Sequence, residues 1–353
     1  MKISDFDKNL KVETSINKSD IVWFDAADFS TIKIFGALGG TKPYARMDLE
    51  VAKSIDAKIH GLSLNCSGIR LRFKTNSPYI AIKTKWGWQN KLIQMTKCGS
   101  CGFDIYTYAN GKQTYFRTFM PPIDCPYGYE SVLDTPFGMT EYIINFPPYQ
   151  DVDVLYIGFK EGSEFEEITP YFNEKPVVFY GSSITQGGCC SRPGNIYENY
   201  LSRALNMDYV GLGFAGNCLA QPKMIEYLAG LDMCCFVSDY DHNAPNAEYL
   251  ASNHYALYKA IREKHPDIPY IMITRPDFKD WNKNSVACRR VVIETYQKAL
   301  SEGDANVYFV DGAKLFGDHE RSACTVDGCH PNDLGFYRMA KAIYPTLQFV
   351  LCK

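Results

Sequence analysis

Two hydrophobic periods divide this chain. From residue 69, apolar and charged positions alternate: Ile69, Leu71 and Phe73 against Arg70, Arg72 and Lys74. A period of two marks a strand with one buried face. Ile80, Ile82, Thr84 and Trp86 continue it after an Asn76-Ser77-Pro78 turn, and Val152, Val154 and Tyr156 repeat it. Between them, Asn110-Gly111 separates two aromatic-rich strands within 103–119, the signal of a tight hairpin. Many short strands with few helical stretches predict an all-β sandwich of jelly-roll type over residues 1–160. The polar stretch 161–176 reads as a linker, although Phe165, Ile168, Tyr171 and Phe172 give it apolar residues suited to packing.

Beyond it the period changes. Apolar runs at 177–180, 207–212, 233–238, 269–274 and 306–310 are too continuous for half-buried strands. They alternate with helical patterns near 195–205, 222–229, 246–264, 285–301 and 333–346. This β-α repetition over 177–353 predicts a parallel sheet with helices on both faces, a three-layer α/β domain. Sites in such folds lie at the carboxyl ends of strands, which directs attention to the loops there.

The first strand, Val177–Tyr180, runs into Gly181 and then presents Ser182 and Ser183 on a turn. A serine nucleophile needs a base, an orienter for that base and donors for an oxyanion. The last such loop holds Asp327 and His330 three residues apart, close enough for the carboxylate to reach the imidazole and hold its tautomer. The competing reading is a capping turn, since Asn332 starts a helix at Asp333 in any case. Capping does not explain the histidine, one of six in the chain. Gly211, Gly213 and Gly216 spell G-x-G-x-x-G, but on the second strand and without a helix opening at once, so a dinucleotide site is not expected. The 181–188 loop lacks the Gly-Lys-Ser/Thr of a phosphate loop, and Thr185 breaks the G-x-S-x-G elbow.

Composition narrows the classes further. The 353 residues are 46% hydrophobic with a net charge of -3, enough for a core and without the basic field that nucleic acid demands. No apolar leader and no run of 18 apolar residues is seen, so neither export nor a membrane partner is expected. Thirteen cysteines without an export signal read as reduced thiols of a cytoplasmic protein. Cys98 and Cys101 form one CxxC with Cys125 nearby, short of a zinc ligand set.

The four strand-end loops resemble the blocks of the SGNH hydrolases, also called GDSL esterases. Gly181-Ser182-Ser183-Ile184-Thr185 is similar to their nucleophile block, and Asp327 and His330 to their last block, D-x-x-H. The resemblance implies an oxyanion hole of Ser183, Gly216 and Asn243. It covers about residues 176–347, and the Gly-Phe-Asp-Ile-Tyr of 102–106 resembles the Gly-x-Asp-Leu-Tyr signature of the β-domain that precedes some of these enzymes. Here Ser182 replaces the usual aspartate, so two hydroxyls stand side by side; position after the glycine favours Ser183.

The resemblance further implies a carbohydrate O-acetylesterase acting on acetylated oligosaccharides of hemicellulose type, such as mannan or xylan fragments, with no cofactor and no metal. A lipid or lysophospholipid esterase, and a carbohydrate-binding protein with an inactive esterase half, are the alternatives. Arg192, Arg275, Asp277 and Trp281 are candidate substrate-binding residues. Asp239, Asp241 and His242 are read as a polar loop rather than metal ligands. Trp88 is the candidate by which the sandwich, docked on the hydrolase half, contributes a wall of the cleft. Oligomeric state is not readable from the sequence.

Overall fold

The computed structural model describes residues 12–276 and 282–352. The described chain separates into two units. The first comprises residues up to 46, 64–170 and 191–194; the second comprises 47–63, 171–190 and 195–353. A single cut in the 161–176 linker is therefore not how the chain divides: the two units interleave in sequence.

The first unit carries ten strands: β1 (Ile21–Asp25), β2 (Lys33–Phe35), β3 (Arg70–Thr75), β4 (Tyr79–Lys85), β5 (Phe103–Ala109), β6 (Lys112–Phe119), β7 (Gly128–Asp134), β8 (Thr140–Asn145), β9 (Val154–Lys160) and β10 (Phe165–Glu166). They form two antiparallel sheets, ordered β1-β9-β4-β7 and β10-β3-β8-β5-β6, with β2 on β3. Their inner faces share one core, in which Phe73 of β3 meets Phe159 of β9 edge to face at 5.4 Å and Phe103 of β5 tilts against Tyr129 of β7 at 6.4 Å. The hairpin stands where Asn110-Gly111 placed it: both residues have left-handed φ, 52° and 75°, the twist that a two-residue turn between right-twisted strands needs.

One expectation fails in an informative way. Arg70 and Arg72 of β3 face away from the core, as their alternation requires, yet both are fully buried. Arg72 pairs with Glu141 of β8 and donates to the Thr169 carbonyl at 2.8 Å. The supposed linker meets β3 on both sides: its Thr169 carbonyl accepts from Arg72, while Phe165–Glu166 pairs with β3 and Phe165 packs into the core on Phe159 at 5.0 Å.

The second unit has a five-stranded parallel sheet of β11 (Val177–Gly181), β12 (Tyr209–Gly213), β13 (Cys235–Asp239), β14 (Tyr270–Ile273) and β15 (Val307–Val310). Its order is β12-β11-β13-β14-β15, the flavodoxin-like arrangement whose switch point lies between the first and third strands in sequence. Helices Tyr197–Leu205, Pro222–Ala229, Ala247–Lys264, Lys283–Ser301 and Asp333–Leu351 connect and flank it. Two helices in the chain's first part, Leu49–Ile55 and Ala57–Ser63, escaped the sequence reading and belong to this unit. Side chains tie them there: the Gln221 amide donates to Asp56 at 3.3 Å, and Lys223 to the Ser54 carbonyl at 3.0 Å. Among the described residues no helix is long and apolar enough to cross a membrane.

Candidate active site

Within the second unit, β11 and β13 flank the switch point and deliver their loops to one sheet edge. Gly181 is the last residue of β11, and a side chain there would strike Thr185 Oγ1 at 2.0 Å. The chain then turns, with the Gln186 amide donating to the Ser182 carbonyl at 3.0 Å and the Gly188 amide to the Ser183 carbonyl at 3.0 Å.

The turn sends the two hydroxyls to different places. Ser182 is fully buried, and its Oγ accepts from the Ile184 amide at 3.2 Å. Ser183 is 8% exposed, and its Oγ lies 2.9 Å from His330 Nε2. On the other side of the ring, Nδ1 is 2.7 Å from Asp327 Oδ2. The carboxylate can only accept, so Nδ1 carries the proton and Nε2 is left to accept from Ser183.

Asp327 is held as an anion. Its partial burial pushes the carboxyl up, but the His330 amide at 2.8 Å, the His330 ring and the Cys329 amide at 3.0 Å outweigh this. The result is a carboxyl below its ordinary range, and an ionised partner fixes the tautomer over a wide pH span. The backbone around it is also fixed: Thr325 bridges Pro331, the Val326 amide donates to the His330 carbonyl at 3.0 Å, and Asn332 Oδ1 caps Gly335 at 3.2 Å. The capping turn and the histidine thus coexist. The Cys189 amide donates to the Pro331 carbonyl at 2.8 Å, binding the serine loop to the histidine loop.

The loop after β12 supplies the glycines. Gly213 admits no side chain, since one would meet the Gln186 backbone nitrogen at 2.2 Å. Gly216 has open space around it but a φ of +69°, a conformation glycine adopts without penalty. Its amide has no hydrogen-bond partner in the described structure. Asn243, ending the short helical turn Asp241–Asn243 after β13, accepts from the Cys218 amide through Oδ1 at 3.3 Å. Its carbonyl end is thereby engaged, which leaves the NH2 end as the donor. All three G-x-G-x-x-G glycines stand in or after β12 in this unit, and no helix opens at Gly216, so the fingerprint is coincidental.

The remaining candidates fall in several places. Arg275, after β14, donates its amide to Asp241 at 3.2 Å and sets Nη2 3.4 Å from His242 Nε2. Asp277 and Trp281 lie outside the described residues. In the first unit, Trp88 is 63% exposed, and the Arg192 guanidinium is bound to Asp104 at 2.9 Å and stacked on Tyr115 at 3.9 Å. Among the described residues neither Asp239, Asp241 and His242 nor Cys98, Cys101 and Cys125 gather as metal ligands. The one such gathering is Asp327, Cys329 and His330, with ligand atoms within 4.8 Å of one another, and there the carboxylate is already bonded to the ring.

Two neighbours of the site went unnoticed in the sequence. Gln186 is fully buried, and its Oε1 accepts from the Ala215 amide at 3.0 Å, joining the serine loop to the glycine loop. Cys329 Sγ sits 3.1 Å from His242 Nε2. A polar residue three positions after a nucleophile, and a cysteine beside a base, were the available signals.

Comparison with known proteins identifies the family and the fold. Residues 174–348 match the model of the GDSL-like Lipase/Acylhydrolase family, and residues 21–165 the model described as N-terminus of Esterase_SGNH_hydro-type. No curated protein matches. Among solved structures, a Bacteroides ovatus protein described as a GDSL-like lipase is similar at 27% identity and TM-score 0.84, over 94% of this chain and 98% of that one. The salicylyl-acyltransferase SsfX3 of a tetracycline biosynthetic pathway is similar at 19% identity and TM-score 0.74, over 94% and 98%. An acetyl xylan esterase, Est2A, from Butyrivibrio proteoclasticus is similar at 16% identity and TM-score 0.58, over 94% and 99%.

Proposed function

Since the chain belongs to the GDSL-like lipase/acylhydrolase family of SGNH hydrolases, we propose that it is a serine esterase that removes O-acetyl groups from oligosaccharides. The observation that carries the esterase reading is the continuous relay from Ser183 through His330 to Asp327, at 2.9 and 2.7 Å.

Ser183 Oγ attacks the ester carbonyl while His330 Nε2 takes its proton. Asp327 balances the imidazolium without itself becoming protonated. Negative charge gathers on the carbonyl oxygen, and the Gly216 amide, the Asn243 NH2 group and the Ser183 amide are its donors in this reading. His330 then gives the proton to the departing sugar oxygen as its bond to the carbonyl carbon breaks, leaving an acyl-serine and a free sugar hydroxyl. Water, deprotonated by the same nitrogen, releases the acid and restores Ser183.

The choice of acetyl and of sugar is supported by the small side chains of the loops and by the fold shared with Est2A. Exposed Trp88 is the proposed sugar platform, since an aromatic face stacks on a pyranose ring. A cytoplasmic setting is part of this proposal, with the thirteen cysteines of the chain kept as reduced thiols there. The test is mass spectrometry of acetylated oligosaccharides with and without enzyme: losses of single acetyl groups, absent with Ser183→Ala, are expected. Hydrolysis of p-nitrophenyl esters of long but not short acids would replace the sugar reading with a lipid one.

A further inference from the structure

The Gly-Phe-Asp-Ile-Tyr segment has a structural logic that the hydrolytic reaction leaves unused. It opens β5, where alternate residues take opposite faces. Phe103 and Ile105 are fully buried in the sandwich core. Asp104 and Tyr106 therefore share the other face, and both grip residues 191–194, the segment that leaves the second unit after Cys190 and rejoins it at Asn195.

The grip is dense. Asp104 is fully buried; Oδ1 accepts from Asn145 at 2.9 Å, and Oδ2 accepts from Arg192 Nη1 at 2.9 Å and from the Gly194 amide at 2.8 Å. Arg192 also donates to the Tyr106 hydroxyl and lies on the Tyr115 ring at 3.9 Å. Thr96 donates to the Ser191 carbonyl at 2.9 Å. Gly194 cannot be another residue, since a side chain would meet Tyr106 Oη at 2.4 Å and Asp104 Oδ2 at 2.6 Å. A buried ion pair adds little net stability over an apolar pair of the same shape. What it adds here is one defined position for the segment.

That position matters because Arg192 follows Ser183 by only nine residues (192 minus 183). The intervening loop has little slack: the Gly187 amide donates to Ile184 at 2.9 Å, Gly188 to Ser183 at 3.0 Å, Cys190 to Gly187 at 3.0 Å, and Cys189 to Pro331, next to His330, at 2.8 Å. We infer that Asp104 is a positioning residue for catalysis: with Tyr106 it clamps Arg192 and so fixes the far end of the loop that carries Ser183. This rests on the esterase reading for its effect on rate, but not for its effect on the loop.

The experiment compares Asp104→Asn, Arg192→Lys and Tyr106→Phe with wild type. Ile82→Val, in the core of the opposite sheet, is the control for general loosening. Turnover of p-nitrophenyl acetate, melting temperature and hydrogen exchange of residues 184–190 are measured. Asp104→Asn is expected to lower kcat about tenfold or more, as small misplacements of a nucleophile do, with KM within about twofold of wild type. Exchange of 184–190 should accelerate. Arg192→Lys, which keeps the charge but loses the fork, should fall between. Ile82→Val should lower the melting temperature and leave kcat and the loop's exchange unchanged. Unchanged exchange of 184–190 in all three clamp variants overturns the clamp whether or not the protein is an esterase. Equal loss of kcat in Ile82→Val and Asp104→Asn overturns it too, by showing that any loosening suffices. A wild-type protein that does not hydrolyse the ester counts against the esterase reading alone, and the exchange data still decide the clamp. Should Asp104→Asn not fold, Arg192→Lys and Tyr106→Phe carry the test.

Discussion

His254 makes the stability of the second unit depend on pH in a predictable direction. It lies inside the helix Ala247–Lys264, 2% exposed, stacked on Tyr240 with ring centroids 5.5 Å apart. Its Nδ1 has no hydrogen-bond partner among the described residues. Burial therefore penalises the imidazolium and pushes the group down to about 4. In the unfolded chain it returns to about 6.5. Between those values the unfolded state binds a proton that the folded state refuses, so acidification favours unfolding. The stabilisation is present above pH 6.5 and is lost as pH falls toward 4. Integrated from pH 7 to pH 5, that single proton costs about 2 kcal/mol. The assay is urea unfolding at the two pH values for wild type and His254→Phe, which keeps a ring against Tyr240 and cannot titrate. The pH-dependent loss in the variant should be smaller by about 2 kcal/mol. The ring C2–H resonance that the variant lacks should stay at its neutral position down to pH 5. Equal pH dependence in both proteins, or a resonance that titrates near 6.5, would refute the reasoning.

Ser183→Ala should lower esterase kcat by several orders of magnitude with melting unchanged, since nucleophile and base work as a unit; Ser182→Ala should keep most activity and lose about 1 kcal/mol of stability, from the Ile184 amide it leaves unpaired, and the opposite pair of results reverses the assignment. Asn243→Ala should cost about a hundredfold to a thousandfold in kcat, the usual effect of removing one oxyanion donor, measured on p-nitrophenyl acetate. Asp327 should stay ionised as pH falls through the ordinary carboxylate range, so its carboxyl 13C resonance should titrate at lower pH than that of an unpaired aspartate; titration at the ordinary value would refute the pairing. Trp88→Ala should raise KM for an acetylated oligosaccharide while leaving p-nitrophenyl acetate turnover intact; equal effects on both remove Trp88 from substrate binding. EDTA should leave activity unchanged; loss that a divalent metal restores would put Asp327, Cys329 and His330 forward as ligands.

Much of the α/β half was legible because its signals are local. Continuous apolar runs cannot be half-buried strands, and alternation with helical periods admits few arrangements other than a parallel sheet. The Asp327–His330 spacing and the cap at Asn332 both lie within one turn, so sequence distance nearly equals spatial distance. What the sequence could not decide was the environment created by remote segments. The alternation of β3 separated Arg70 and Arg72 from the core, but partners remote in sequence made that second face buried as well: Glu141 and Thr169, 69 and 97 residues from Arg72, bond to it, and Phe35 and Tyr108 stack on it. The helices of 49–63 were missed because their partners, Gln221 and Lys223, stand more than 160 residues away. Of the two adjacent hydroxyls, position after the glycine already favoured Ser183; their separation in space is tertiary, since one accepts from its own turn while the other meets a histidine 147 residues on. Periodicity reports which face of an element is apolar, but not what other part of the chain will cover the opposite face. That depends on contacts between distant segments, and burial and charge pairing follow from it.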